Sequence, residues 1–220
     1  MSKDKWFNLA KTGQMTQEHI DQWINEGTTE SQSIEVLNSI DIQNNFGDTA
    51  LIEASENGHF EVVQYLIDKG ADIHHITQWG NTALMLASDE GHHEIVKYLV
   101  DKGIDIDHQN NYGYTALLRA SWNGHLEIVK LLVDKGADIH HQDKWGNTAL
   151  LWTSHYGHLE VVKLLVDKGA DIEKQNKWGN KVLLWASVYG RLEIVKYLKE
   201  KLIEKWNKEY IDKIKELDKY

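Results

Sequence analysis

The sequence contains no cysteine and no proline, and it has no long hydrophobic run. Without cysteine, the chain cannot form a disulfide framework or a thiolate metal site, so nothing in it requires an oxidising compartment. No window approaches the roughly 18 apolar residues of a membrane helix, and the first residues lack the apolar segment of a signal peptide. We therefore expect an intracellular protein, cytoplasmic or nuclear, with neither a signal peptide nor a transmembrane segment.

Positive charge is also in short supply. The chain has 24 lysines and arginines against 34 aspartates and glutamates, which gives a net charge of −10 at pH 7. Nucleic-acid binding requires clustered positive charge that faces the phosphates. The composition therefore disfavours a nucleic-acid partner and favours a protein or peptide partner with basic residues.

Glycine does not form the clustered phosphate-binding motifs of nucleotide sites, but it recurs singly and at regular intervals. Self-similarity at a fixed period indicates a stacked-repeat protein. The chain contains five copies of one pattern, for example "NYGYTALLRASWNGH" and "KWGNTALLWTSHYGH". The turn glycines of these copies are separated by steps of 33 residues: Gly47, Gly80, Gly113, Gly146 and Gly179.

Repeat three shows the predicted local structure. A turn ends at Gly113, Thr115 caps a short apolar helix by accepting a backbone N–H, and Gly124 is suited to end that helix. The next segment, "HLEIVKLLVDKG", has the spacing of an amphipathic helix, with one apolar and one charged face. It ends at Gly136, and an extended segment leads to the next turn. Each unit is therefore predicted to be helix, turn, helix and hairpin.

The shared pattern G-x-T-A-L-x-x-A-S-x-x-G-H-x-E-I-V-x-x-L-V-D-K-G-A-D-I resembles the ankyrin repeat and covers Asn45 to about Lys201. The family's T-P-L-H tetrapeptide is T-A-L followed by Ile, Met or Leu here, so its proline and histidine are missing. Thr153 and Lys181 are further departures. The resemblance implies an all-α ankyrin-repeat solenoid whose concave groove binds proteins, with no enzymatic activity and no cofactor.

Both ends depart from the repeat, as the terminal units of a stack do when they cap it. We expect residues 1–44 to be a degenerate N-terminal capping repeat and link, residues 45–201 to be five repeats, and residues 202–220 to be a C-terminal amphipathic capping helix. Together these segments are predicted to form a single cooperative domain. In the N-terminal cap, "WFNLAKTG" resembles an inner helix, and Ile20, Trp23 and Ile24 fit an outer one. The alternative for the last helix is that it docks a partner. Its apolar positions are Ile203, Trp206, Tyr210, Ile211, Ile214 and Leu217.

The recurring motif Ser-x-x-Gly-His could suggest a nucleophile and its base. It occurs in repeats one to four, whereas a catalytic group is expected once, with a third group that orients the base. The hairpin histidines, such as His74 and His75, would make a poor transition-metal site. We therefore predict no catalytic, metal or cofactor site. The resemblance implies a structural, loop-bracing role for the histidines after the inner-helix glycine: His59, His92, His125 and His158.

The residue before each turn glycine is always aromatic, and the sequence leaves its role open between a structural ladder and a binding surface. We call these residues the hairpin row: Phe46, Trp79, Tyr112, Trp145 and Trp178.

Other positions change along the chain from acidic to aromatic. A core role predicts one residue type at each position, so these graded positions favour a binding surface, and the resemblance places them on the concave face. The candidate partner-binding residues are Glu53, Glu56, Asp89, Glu90, Tyr112, Tyr114, Arg119, Trp122, Trp145, Trp152, His155, Tyr156, Trp178, Trp185 and Tyr189.

The predicted function is a protein-protein interaction module, acidic at the N-terminal end of its concave face and aromatic at the C-terminal end. Carboxylates would bind basic residues of the partner, and aromatic rings would bind apolar or cationic groups. One alternative is an aromatic cage for methylated lysine. Another is a scaffold that associates with itself through the aromatic face, although the expectation for the chain is a monomer. An enzyme is the least favoured class.

Overall fold

The computed structural model describes residues 2–26 and 40–217 of the 220-residue chain. In these residues it contains twelve α-helices and one isolated antiparallel bridge, between Gln175 and Lys181. The helices divide between two compact units, residues 1–138 and residues 139–220. The predicted all-α repeat architecture is confirmed.

Unit 1 consists of four helix pairs, each an inner helix followed by an outer helix. The inner helices pack in series, α1 on α3, α3 on α5 and α5 on α7. The helices of unit 1 are α1 (Lys3–Thr12), α2 (Gln17–Glu26), α3 (Ala50–Glu56), α4 (Phe60–Asp68), α5 (Ala83–Glu90), α6 (His93–Asp101), α7 (Ala116–Asn123) and α8 (Leu126–Asp134).

Unit 2 consists of two further pairs. The inner helix α9 packs against both α10 and α11, and α11 packs against α12. The helices of unit 2 are α9 (Ala149–Tyr156), α10 (Leu159–Asp167), α11 (Val182–Val188) and α12 (Leu192–Leu217).

Threonine caps fix where the inner helices begin. The hydroxyl oxygen of Thr148 accepts a hydrogen bond from the backbone N–H of Leu151 at 3.3 Å, which satisfies a donor that the helix leaves unpaired. The same cap is present at Thr49, Thr82 and Thr115. Lys181 begins α11 without a side-chain hydrogen bond, since its ammonium group has no acceptor. The predicted caps are therefore confirmed in four repeats, and the departure at Lys181 leaves the fifth helix uncapped.

The same positions of each repeat supply the core in both units. The T-A-L leucines are at most 2% exposed, and the leucines of the outer helices are fully buried. Both sets recur every 33 residues, because each repeat buries the same two leucine positions when it packs on its neighbour. This burial explains why the sequence has a 33-residue period. The two sets are Leu51, Leu84, Leu117 and Leu150, and Leu66, Leu99, Leu132 and Leu165.

The first helix pair closes the N-terminal side of unit 1. Trp6 of α1 and Trp23 of α2 are 0% and 2% exposed, and their rings stack with centroids 5.0 Å apart. The segment "WFNLAKTG" is therefore helical and buried on one side, as the sequence indicates. The link predicted at residues 27–33 lies outside the described residues.

The last helix, α12, is longer than the other outer helices. Ile194 and Leu198 in its first two turns are buried, but Ile203 and Trp206 are each 55% exposed. Its second half therefore presents to solvent the apolar residues that the sequence assigned to capping, while the side chains of Ile214 and Leu217 lie outside the described residues. The helix also carries frequent charges, and no helix in the described part of the chain is long and apolar enough to cross a membrane.

Candidate functional site

The histidines that follow the inner-helix glycine brace the loops of repeats one to three against the helix pair before them: His59, His92 and His125. The ring Nε2 of His125 lies 2.9 Å from the carbonyl oxygen of Asp89, and that of His92 lies 2.9 Å from the carbonyl oxygen of Glu56. In repeat five, the Nε of Arg191 donates to the carbonyl oxygen of His155 at 3.0 Å, so arginine replaces histidine in the same role. The loop-bracing role is confirmed for these histidines.

The hairpin histidines make similar contacts. Nε2 of His75 lies 2.9 Å from the carbonyl oxygen of Gly47, and Nε2 of His108 lies 3.0 Å from that of Gly80. No three His, Asp or Glu side chains come together as a metal site in residues 2–26 and 40–217. The serines of the Ser-x-x-Gly-His motif, such as Ser121 and Ser154, are 0% exposed, so a substrate has no access to their hydroxyl groups.

The hairpin row combines packing and exposure. Phe46 and Trp79 stack with ring centroids 5.9 Å apart, yet they remain 57% and 42% exposed. Tyr112 is 44% exposed, Trp145 is half-buried, and Trp178 is 64% exposed. The hairpin row therefore keeps exposed aromatic surface even at Phe46 and Trp79, whose rings pack on each other. Both a structural and a binding role remain open for this row.

The inner-helix ends of repeat one are acidic. Glu53 is half-buried and accepts a hydrogen bond from Nδ2 of Asn44 at 3.1 Å. Burial raises the pKa of the Glu53 carboxyl above its usual value. Burial also raises the pKa of Glu56, with further contributions from the neighbouring charges of Glu53, Asp48 and Glu90. These carboxylates are thus crowded, and a cationic group beside them would relieve the repulsion.

Asp89 and Arg119 of unit 1 form a pair. Their closest atoms, Oδ2 and a guanidinium nitrogen, are 3.4 Å apart, and Nδ2 of Asn123 donates to Oδ1 of Asp89 at 2.8 Å. Burial raises the pKa of Asp89, while the positive charge of Arg119 opposes that shift. Arg119 also lies over the ring of Tyr114, 4.7 Å from its centroid. Tyr114 is only 8% exposed and so supports Arg119 from below.

A depression of about 470 Å³ lies at the ends of α5 and α7. Glu90 is exposed at its edge, and the half-buried ring of Trp122 forms part of its wall. Trp122 meets the ring of Tyr114 edge-on, with centroids 5.8 Å apart. Asp89 and Arg119 complete the lining with Asn123 and His125, so the depression offers a carboxylate beside an aromatic face.

In unit 2, five rings at the ends of α9 and α11 form one aromatic cluster. The ring of His155 lies at its centre, with centroid distances of 3.9 Å to Tyr189, 4.5 Å to Tyr156 and 5.0 Å to Trp185. Trp152 stacks on Tyr156 at 6.2 Å and meets Trp185 at 5.8 Å. The outer rings, Tyr156 and Tyr189, are 37% and 48% exposed. The structure therefore joins the five rings in one network of contacts.

The indole N–H of Trp152 is held by a buried carboxylate. It donates to Oδ2 of Asp143 at 3.0 Å, and Asp143 is 4% exposed. The other oxygen of Asp143 accepts from the backbone N–H groups of Trp145 and Asn147 at 2.9 Å and 2.8 Å. One carboxylate therefore fixes both the hairpin turn and the orientation of the Trp152 ring.

His155 is neutral near pH 7. Burial, and to a lesser extent the charge of Arg191, lower the pKa of His155 below its usual value of 6.5. Its Nδ1 atom is buried and has no hydrogen-bond partner among the described residues. Because the neutral ring packs against four other rings, the cluster presents an uncharged surface with the hydroxyl groups of two tyrosines at its rim.

Sequence reasoning missed the residues that position this surface. Asp143 and Arg191 were not among the candidates, although each carries a signal: a carboxylate where other repeats have Asn or Thr, and an arginine where four repeats have histidine. Asn123 was also missed, because its contact to Asp89 joins residues 34 positions apart in sequence. Such contacts become visible only once neighbouring repeats are stacked.

Comparison with known proteins identifies the repeat. A family model described as ankyrin repeats matches the chain three times, at residues 18–110, 70–143 and 117–209. The number of matches differs from the five repeats counted in the sequence because each matched segment is longer than two periods of 33 residues. No curated protein sequence matches the chain. The matches cover most of the chain, which therefore belongs to the ankyrin repeat family, whose repeats generally mediate protein-protein interaction and are generally not enzymatic.

Proposed function

We propose that this chain binds a protein or peptide partner through the variable ends of its inner helices. Unit 2 contributes the aromatic cluster of Trp152, His155, Tyr156, Trp185 and Tyr189, and unit 1 contributes acidic side chains. The aromatic cluster carries the proposal: five rings in mutual contact, two of them exposed, occupy positions that the stacking of repeats does not require to be apolar. Large aromatic side chains dominate the energetics of protein interfaces.

The acidic side chains support a partner with basic residues. Glu56 and Glu90 are exposed, and burial with mutual repulsion raises the pKa of Glu56. A lysine or arginine of the partner would lower this repulsion and could also lie against the ring of Trp122 in the depression of unit 1. Asp89 and Arg119 already neutralise one another, so they orient the site and contribute less to attraction.

The arrangement of the rings favours this function over a methyl-lysine cage. A cage needs open space between rings beside a carboxylate. In unit 2 the imidazole of His155 lies among the rings, and the carboxylate of Asp143 is engaged by the Trp152 indole and two backbone N–H groups. Self-association through the aromatic cluster would be an alternative use of the same surface. The mass of the isolated chain in solution, described below, distinguishes it from binding of a different protein.

Affinity capture from cell lysate, followed by binding of the purified partner, tests the proposal. The informative variant replaces the two exposed rings, Tyr156→Ser with Tyr189→Ser, because truncating Trp152 would also strip Asp143 of a buried hydrogen bond. We expect at least tenfold weaker binding. The matched control is Tyr65→Ser, which removes a ring that is 39% exposed on the outer helix α4.

Charge is tested separately with Glu56→Gln and Glu90→Gln, which should weaken binding of a basic partner and reduce its dependence on salt. Equal partner recovery by the wild type and the double tyrosine variant would contradict the proposal. So would a tyrosine effect explained entirely by loss of a self-associated form, measured as the mass of the isolated chain in solution.

A further inference from the structure

Charge is divided unevenly between the two units. Unit 1, residues 1–138, has 9 lysines and arginines against 22 aspartates and glutamates, a net charge of −13. Unit 2, residues 139–220, has 15 against 12, a net charge of +3. The acidity of the chain therefore lies entirely in unit 1. Because attraction between molecules depends on the local charge and not only on the total, unit 2 can attract acidic molecules that unit 1 repels.

The hairpin tips contribute to this difference. In repeats one to three, the residue before the aromatic of the hairpin row is uncharged: Asn45, Gln78 and Asn111. In repeats four and five, the same position is a lysine, Lys144 or Lys177. Positive charge at the hairpin tips is therefore confined to unit 2.

In unit 1, the side chain at this position joins neighbouring hairpins. Nδ2 of Asn111 donates to the carbonyl oxygen of Gln78 at 2.9 Å, and Nε2 of Gln78 donates to that of Asn45. In unit 2, Gln142 joins the hairpins instead, because its Nε2 donates to the carbonyl oxygen of Gln175 at 3.1 Å. The lysines of repeats four and five are therefore not needed for this contact.

Lys144 and Lys177 are exposed, and their ammonium groups make no hydrogen bond or ion pair with any described residue. The same holds for Lys174, which is exposed, and for Lys181, which is half-buried. Lys144 stays exposed although the hairpin of repeat five packs beside it, where the backbone N–H of Lys177 donates to the carbonyl oxygen of Trp145 at 2.9 Å. Four positive charges on two neighbouring hairpins are therefore available to a partner.

The carboxylates of the same two hairpins offset these charges only in part. Asp143 is 4% exposed, and its oxygens accept hydrogen bonds from the Trp152 indole and two backbone N–H groups. Glu173 is paired with Lys205 of α12. Asp171 is exposed, and one of its oxygens accepts the backbone N–H of Glu173 at 2.9 Å. Of these three carboxylates, only Asp171 is both exposed and outside an ion pair, so positive charge predominates on the hairpins of unit 2.

The hairpin tips of unit 2 also expose aromatic surface next to the lysines. Trp178, which follows Lys177, is 64% exposed, more than any other member of the hairpin row, and Trp145, which follows Lys144, is half-buried. Lysines beside tryptophans suit a segment with both carboxylates and apolar side chains, because the ammonium groups attract the carboxylates and the indoles cover the apolar groups. We call this set the basic hairpin surface: Lys144, Trp145, Lys174, Lys177, Trp178 and Lys181.

We propose that the basic hairpin surface binds an acidic segment of a partner protein that also carries apolar side chains. A protein segment is favoured over a nucleic acid, because a long anionic strand would also be repelled by the net charge of −13 on unit 1. A short acidic segment need only contact the two hairpins. This inference does not rest on the proposed function, because the surface includes neither the aromatic cluster nor the acidic side chains of unit 1.

Binding of a synthetic probe to the purified full chain tests the proposal. The probe is a fluorescently labelled peptide of glutamate, serine and leucine, and its control has glutamine in place of every glutamate. We expect the acidic peptide to bind more tightly than the glutamine peptide, with an affinity that falls as salt is added. Lys144→Gln with Lys177→Gln should weaken binding about fivefold, as the loss of two exposed charge pairs implies. Trp178→Ser should weaken it as well.

The matched control is Lys196→Gln with Lys199→Gln, which removes two charges from exposed positions of α12 in the same unit and should leave binding unchanged. An equal loss in the two double lysine variants would overturn the proposal, since the net charge of unit 2 would then explain the binding. Equal affinity for the acidic and glutamine peptides would overturn it too. Tighter binding of a thymidine oligonucleotide at the same salt would assign the surface to single-stranded nucleic acid instead. Loss of peptide binding in the Tyr156→Ser/Tyr189→Ser variant, with none in the Lys144→Gln/Lys177→Gln variant, would assign the peptide to the aromatic cluster.

Discussion

Inner helix α7 of unit 1 holds Arg119 at the position where α9 of unit 2 holds Trp152, yet the two helices bury the same set of positions. Arg119 pairs with Asp89 of the preceding repeat, whereas Trp152 binds Asp143 of its own hairpin and packs on Trp185 of the following repeat. The buried positions are constrained because neighbouring helices fill the space around them. The variable positions are not, so a charge pair can give way to an aromatic cluster on an unchanged backbone.

The largest effects are expected where the two units are alike. Leu117→Ala in unit 1 and Leu150→Ala in unit 2 remove side chains that are 2% and 1% exposed, and each should cost about 2–5 kcal/mol of unfolding free energy. Urea unfolding measures both. Val188→Ala, at a position 67% exposed, is the control and should change stability by less than about 0.5 kcal/mol. A large difference between the losses of unfolding free energy in Leu117→Ala and Leu150→Ala would show that the same sequence position contributes differently to the cores of the two units.

A change at Asp143 should be the next largest and is specific to unit 2. Asp143→Ala leaves the Trp152 indole and two backbone N–H groups without an acceptor and should cost about 2–4 kcal/mol. Asp143→Asn keeps one oxygen for the turn, as Asn110 does in repeat three, and should cost about half as much. Urea unfolding together with tryptophan fluorescence reports on both effects. Equal costs for the two variants would mean that the turn hydrogen bonds contribute little and that Asp143 stabilises the fold mainly through the Trp152 indole.

The helix caps should give smaller and opposite changes in two repeats of unit 2. Thr148→Ala removes the cap of α9 and should cost about 1 kcal/mol. Lys181→Thr introduces at α11 the cap that the other four repeats possess, and should add up to about 1 kcal/mol. Thermal or urea unfolding measures each change. No gain from Lys181→Thr would indicate that the end of α11 is fixed by its packing on α12 instead.

The smallest expected effects concern how the stability of the protein depends on pH, and they have opposite signs for Glu56 of unit 1 and His155 of unit 2. The raised pKa of Glu56 means that its charged form is disfavoured in the folded chain, so its contribution to stability is greatest below the usual glutamate range and is lost as the pH rises through the raised pKa. Glu56→Gln should therefore stabilise the protein at pH 7, with a gain that shrinks towards pH 4. Melting temperatures across this range measure the difference.

His155 should behave in the other direction. Its pKa is lowered from 6.5, so the neutral ring stabilises the fold above that value, and the contribution is lost as the pH falls through the lowered pKa. His155→Gln should reduce the destabilisation of the protein below pH 6.5 relative to the wild type. A pH profile unchanged by this variant would mean that the imidazole remains neutral or is solvated on protonation.

Much of the fold follows from the sequence, because the signals that determine it are local or periodic. The threonine caps, the helix-ending glycines and the spacing of apolar residues predicted the inner and outer helices of all five repeats. They also predicted the helices at Lys3–Thr12 and Gln17–Glu26. The exposure of Ile203 and Trp206 in the second half of α12 did not follow from the sequence, because an amphipathic pattern shows that a face is apolar but does not show what covers it.

The sequence by itself determined the repeat, its register and the identity of the variable positions, since a period of 33 residues is written directly in its glycines and leucines. Only the tertiary structure decided how those variable positions combine. Stacking paired Arg119 with Asp89, placed Tyr114 beneath that pair and gathered five rings around His155. It also left Leu184 and Trp206 without a covering helix in the described part of the chain. These outcomes depend on distances between residues of different repeats, which the order of residues along the chain does not contain.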